Sequence, residues 1–188
     1  MKECTVIGVG GAGLSLAQQA HKLVSGRFMA INTDRKQLED LPPEERLVIG
    51  TKCCGGLSAT SPARGRQAVE ESLGDISARL PNSGKVVLLA GLGGGAGTGA
   101  MPTLAKEFIQ RDLNLLVAVT LPFGLEAERR EAALAGLKEL EATGATIITH
   151  DLSESINGSM GLEEILVTSA EDLAQRAQSW INGESDAQ

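Results

Sequence analysis

Short apolar runs alternate along this chain with longer stretches in which apolar residues recur every three or four positions. Thr5-Val6-Ile7-Gly8-Val9, Phe28-Met29-Ala30-Ile31, Arg46-Leu47-Val48-Ile49 and residues 85–90, 115–121 and 145–149 read as six strands. Residues 14–24, 62–80, about 100–111, 125–143 and 163–181 read as helices. Pro62 suits a first helical turn, where its missing N–H costs nothing. Lys85-Val86-Val87-Leu88-Leu89-Ala90 has no polar alternation, as expected of a strand covered on both faces. Such strand–helix alternation predicts parallel βαβ units. The expectation is an α/β, Rossmann-like three-layer fold with an open parallel sheet of about six strands, ordered 3-2-1-4-5-6.

At 188 residues the chain is sized for one domain, expected over 1–182 with a polar tail at 183–188. The net charge of −7, from 17 basic and 24 acidic residues, argues against nucleic acid, which needs a basic face. An aromatic fraction of 2% leaves little to stack on bases. No apolar run approaches the roughly 20 residues of a bilayer span, so no membrane insertion is expected. Met1-Lys2-Glu3-Cys4 leads straight into a strand and does not read as a signal peptide. Cys4, Cys53 and Cys54 fit neither a disulfide framework nor a metal spacing, which points to a reduced, cytoplasmic protein.

The chemistry gathers in two glycine loops. Gly8-Val9-Gly10-Gly11-Ala12-Gly13 follows the first strand, and Asp34 stands about 20 residues on, as in a dinucleotide fingerprint. Gly91-Leu92-Gly93-Gly94-Gly95-Ala96-Gly97-Thr98-Gly99 follows the fourth strand, beside the first loop at the switch point of such a sheet. Two loops converging on one crevice suit a triphosphate. Neither is followed by the Gly-Lys-Ser/Thr of a Walker A loop, and no zinc pattern occurs. His21 and His150 have no cysteine partners nearby and read as ordinary histidines, and no Gly-x-Ser-x-Gly elbow supports a serine hydrolase.

With these loops placed, the chain resembles the tubulin/FtsZ family, from about Cys4 to Ile181. Gly10, Gly11, Ala12 and Gly13 are similar to its first nucleotide loop, and Ala30-Ile31-Asn32-Thr33-Asp34 to its second strand end. Gly93, Gly94, Gly95, Ala96, Gly97, Thr98 and Gly99, then Ala100 and Pro102, resemble its signature loop. Thr120-Leu121-Pro122-Phe123 with Glu126 and Arg130 resembles the segment that contacts ribose and phosphates. The resemblance implies GTP or GDP as ligand, with room for Mg2+, and partners among further copies or FtsZ-like subunits of the bacterial cell-division cytoskeleton. Asn32, Asp34 and the third-loop residues Ser58 and Ala59 would join the site. Arg130 would reach a phosphate and Glu126 the ribose.

Departures from the pattern carry their own implications. Ala96 replaces the signature threonine, and Ser15 replaces a longer asparagine. Val167 falls where an aromatic would stack on guanine, and Glu171 where a carboxylate or amide would read the base. The family continues into a second domain that supplies acidic residues to the next subunit, whereas this chain stops at Gln188. No catalytic residue and no metal ligand is therefore assigned, and turnover is expected to be very slow. The other readings are a nucleotide-free scaffold, suggested by Ala96, Ser15 and Val167, and a small NAD(P)-dependent oxidoreductase, suggested by the first loop and Asp34. The last helix, with Leu162, Ile165, Leu166, Leu173, Ala177 and Ile181, is expected to expose an apolar stripe near Trp180 and to mediate self-association.

Overall fold

The computed structural model describes residues 4–156 and 160–184; the expected tail beyond 184 and the first three residues lie outside it. The strands are β1 (Cys4–Val9), β2 (Arg27–Asn32), β3 (Arg46–Val48), β4 (Lys85–Gly91), β5 (Asn114–Leu121) and β6 (Thr146–Asp151). All pair in parallel, in the order β3-β2-β1-β4-β5-β6. The helices are α1 (Gly10–Leu23), α2 (Pro62–Arg79), α3 (Gly95–Gln110), α4 (Ala127–Glu141) and α5 (Leu162–Asn182).

Strand side chains alternate between faces, and β4 shows the consequence. Val86, Leu88 and Ala90 join a core beneath α2, α3 and α4, while Val87 and Leu89 join a second core beneath α1 and α5. The sheet is thus the middle of three layers. Burial on both faces is why β4 carries no polar residue between Val86 and Ala90.

Two helices begin earlier than their sequence suggests. α1 starts at Gly10 and α3 at Gly95, inside the glycine runs. Glycine disfavours helix interiors by about 1 kcal/mol per residue, so these turns are held by packing. A Cβ at Gly99 would overlap the Pro62 carbonyl, and one at Gly65 would overlap the Gly95 carbonyl. Small residues let α2 and α3 approach backbone to backbone, which accounts for part of the glycine richness without any ligand.

α5 turns Ile165, Leu173 and Ala177 into the core. The expected exposure near Trp180 is not found. Trp180 is half-buried, with the Lys85 ammonium 4.8 Å above its ring and donating to the Trp180 and Ile181 carbonyls. The exposed apolar residues stand at the other end of the helix: Leu162, Leu166 and Val167 are 61%, 46% and 41% exposed. The carbonyls of the last turn recruit Lys85, and the lysine covers the indole.

Candidate functional site

β1 and β4 are neighbours, with Val9 opposite Ala90, so the chain leaves both strands at the same edge of the sheet. A cavity of about 690 Å³ opens there, lined by Gly10, Gly11 and Ala12 from the first loop and by Gly94, Gly95, Ala96 and Gly97 from the second. It is the first turns of α1 and α3 that face it. Neither helix has a side-chain cap or an acidic residue in its first turn. α2, by contrast, is capped by the Ser61 hydroxyl, which accepts from the Arg64 N–H. Uncapped first-turn N–H groups at the positive end of two helix dipoles make an anion site.

The glycines divide by what surrounds them. Gly10 and Gly93 have φ of 73° and 97°, a region only glycine enters freely. A Cβ at Gly13 would press on the Leu89 carbonyl, at Gly95 on the Ala59 carbonyl and at Gly97 on the Gly91 carbonyl. Gly94 differs. No protein atom lies within 4 Å of a Cβ built there, although the residue lines the cavity. A positive φ or a close carbonyl accounts for each of these glycines; at Gly94 the chain leaves the cavity side open.

One wall comes from β2 and the segment before α2. Asn32, Thr33, Ser58 and Ala59 line it, and the Ala59 N–H donates to Thr33 Oγ1 at 2.9 Å. Asp34 does not line the cavity. Its carboxylate accepts from the Ser58 hydroxyl at 2.7 Å and from the Lys36 N–H at 3.1 Å, and the Ser58 hydrogen bond leads in holding its pKa below the ordinary range. The opposite wall is Pro122, Phe123, Leu125, Glu126 and Arg129. Glu126 pairs with Arg129. Arg130 stays outside the cavity, with Nη1 donating to the Pro122 carbonyl at 2.7 Å and to Asp151 Oδ1 at 2.8 Å.

A second cavity of about 360 Å³ continues between α1 and α5. Ala12, Thr120, Leu152 and Leu166 belong to both, so the two form one crevice. Ser15 and Val167 line this end. Glu171 is exposed and lines neither cavity; the α5 residues lining this end are Glu163, Leu166, Val167, Ser169 and Ala170. Gly13, Gly93, Thr98 and Gly99 likewise line neither, and Thr98 accepts from the Gly93 N–H at 2.7 Å, bracing the second loop from behind. Thr33, Thr120 and Phe123, which stand in the motifs, also line the crevice, and Gln37, Arg129 and Glu163 are lining residues that the sequence did not single out. Only helical phase could have found Arg129 and Glu163.

His150 is not idle. Its Nδ1 lies 2.9 Å from Asp172 Oδ2 and its Nε2 2.8 Å from Ser155 Oγ. Arg176 shares Asp172 and donates to the Thr149 carbonyl at 2.9 Å, so the group ties the end of β6 to α5. Neither cavity of the crevice includes Ser155. The three cysteines are free, with Cys53 and Cys54 sulfurs 3.7 Å apart.

Comparison with known proteins places this geometry. Residues 3–157 match the Tubulin/FtsZ family, GTPase domain. The chain is 37% identical over 150 residues to the cell division protein FtsZ of Helicobacter pylori, covering 76% of this chain and 38% of that protein. It is 37% identical over 151 residues to that of Aquifex aeolicus, covering 78% and 41%. The chain thus spans about two fifths of these relatives' length. Among solved structures, an empty FtsZ dimer from M. jannaschii superposes with a TM-score of 0.85 at 29% identity, covering 97% of this chain and 55% of that one. A GTPγS-bound protofilament of CetZ2 from Haloferax volcanii superposes with a TM-score of 0.83 at 25% identity, covering 97% and 59%. The paired glycine loops, the strand order and the sequence match together make this chain a member of the tubulin/FtsZ family, within its GTPase domain.

Proposed function

We propose that the chain binds GTP or GDP in this crevice, with the phosphates on the N–H groups of Gly11, Ala12, Gly95, Ala96 and Gly97. The observation that carries this reading is the space kept at Gly94 between two uncapped helix N-termini. The family supports a guanine nucleotide, as does the GTPγS named for the CetZ2 protofilament. Mg2+ would sit on phosphate oxygens and waters, since it keeps several waters and needs few protein ligands. Arg129, facing the cavity, takes the phosphate-side role expected of Arg130.

Turnover by this chain alone is slow in this account. Cradling phosphates stabilises charge but leaves the attacking water unplaced. The chain acts instead through assembly or regulation of a cytoskeletal or cell-division partner, a second copy or an FtsZ-like subunit, in the cytoplasm. No described helix is long and apolar enough to cross a membrane.

Specific residues favour a second reading, a nucleotide-free scaffold. Ala96 offers no hydroxyl, and Glu171 is turned away from the crevice. The oxidoreductase reading draws no support from Asp34, whose carboxylate is engaged by Ser58 and Lys36 outside the cavity. Equilibrium titration with GTP, GDP, ATP and NAD separates the three. Binding of guanine nucleotides alone supports the proposal. Binding of none supports the scaffold, and binding of NAD alone the oxidoreductase.

A further inference from the structure

β6 and α5 bring three side chains together outside the crevice. His150 stands two residues beyond Ile148 and so on the same face of β6, the face turned toward α1 and α5. From there its Nδ1 reaches Asp172 Oδ2 on α5 at 2.9 Å, and its Nε2 reaches Ser155 Oγ, in the turn after β6, at 2.8 Å. An ionised carboxylate can only accept, so Asp172 selects the imidazole tautomer with its proton on Nδ1. The lone pair on Nε2 then faces the Ser155 hydroxyl. Arg176, one turn along α5, holds Asp172 in place and anchors itself on the Thr149 carbonyl. The His150 side chain is 17% exposed, while Ser155 stays within reach of solvent. Among the described residues none accepts from the Ser155 N–H, which leaves that donor for an anion forming beside the hydroxyl.

Carboxylate, imidazole and hydroxyl joined in this order make a serine nucleophilic, and the arrangement is recognised by geometry on unrelated folds, not by a sequence motif. We propose that Ser155 is an activated nucleophile that takes the acyl group of small activated esters, with His150 as its base and Asp172 as the positioning residue. Ser155 Oγ adds to the ester carbonyl carbon and His150 Nε2 takes the hydroxyl proton. The bond to the leaving alcohol breaks, and that proton leaves on the alcohol oxygen. Water then adds to the acyl-serine, giving a proton to His150 that returns to Ser155 Oγ as the carboxylic acid departs. Ile156, next in the chain and 55% exposed, offers apolar surface to a short acyl group. This activity is independent of nucleotide binding.

The experiment treats the full chain with a fluorophosphonate, which forms a Ser–O–P bond and expels fluoride, and maps the label by peptide mass spectrometry. Hydrolysis of p-nitrophenyl acetate is followed in parallel, at a temperature where every variant matches the parent's circular dichroism. Labelling of Ser155 is expected, with a loss of at least about tenfold in His150→Gln, the low end of what a positioned base contributes. Ser155→Ala loses ester hydrolysis by a similar factor, and Asp172→Asn lowers kcat with little change in KM. His21→Gln keeps the parent rate, which separates the cluster from hydrolysis by any exposed imidazole. No label on Ser155, equal labelling in His150→Gln, or unchanged hydrolysis in Ser155→Ala overturns the proposal and leaves the three residues as a tie between β6 and α5.

Discussion

Arg130 reaches from α4 to the end of β6 and holds Asp151, 21 residues further along the chain, in a two-pronged ion pair with one arm at 2.8 Å. Because the same guanidinium donates to the Pro122 carbonyl, the pair fixes the turn between β5 and α4 that forms one wall of the crevice. Arg130 thus positions the site without facing it.

The hydrogen bond from Arg130 draws the Asp151 carboxyl down from 3.8 to about 2. A depressed acid stabilises the fold above its unfolded pKa, and that contribution is lost as pH falls from about 3.8 through about 2. Asp151→Asn is expected to cost about 1–2 kcal/mol at pH 7 after solvent screening. Urea unfolding at pH 7 and near pH 2 checks this: the gap between parent and variant closes at the acid end. A gap of equal size at both would mean the charge is not responsible.

Gly99→Ala is expected to destabilise, although alanine is the better helix former. Its methyl would overlap the Pro62 carbonyl, so α2 and α3 must part. The overpacking penalty of about 1–3 kcal/mol exceeds the propensity gain of about 1 kcal/mol. Thermal unfolding measures the sum, and an unchanged or raised Tm would contradict the close packing.

Ala96 lines the cavity at the first turn of α3. Ala96→Thr would place a hydroxyl where the phosphates are proposed to lie and is expected to tighten GTP binding about tenfold. Competition titration against GDP reads the gain. A loss of binding would show that the space at Ala96 serves sterics and not a missing hydrogen bond.

Burial, Cys54 and Glu71 push the Cys53 thiol up to about 11. At pH 8 its thiolate is therefore about one part in a thousand. Iodoacetamide labelling of Cys53, followed by peptide mass spectrometry, should be slow at pH 8 and rise toward pH 11. Fast labelling at neutral pH would contradict the environment described.

The strand order and the meeting of the two glycine loops were legible because apolar runs and glycine clusters mark βα turns strongly. Helix starts were not, since Gly10 and Gly95 are poor helix formers held in place by tertiary contacts. Two residues came out one position off: the arginine lining the crevice is Arg129 and not Arg130, and α5 turns Ala170 inward where Glu171 was expected. One residue on a helix is a rotation of about 100°, enough to carry a side chain from a cavity to solvent. Motif spacing sets the register along the chain, but only the packed helix sets the phase.

Calorimetric titration of GDP into the parent chain and into Gly94→Val tests the central claim most directly. Gly94 has φ −98° and ψ 169°, which valine adopts, and nothing in the protein meets its Cβ. The parent is expected to bind GDP, and Gly94→Val, at the N-cap of α3, to lose no more than about 1 kcal/mol of stability yet to bind at least about tenfold more weakly. Equal GDP affinity in the two proteins, or no binding by the parent, would contradict it.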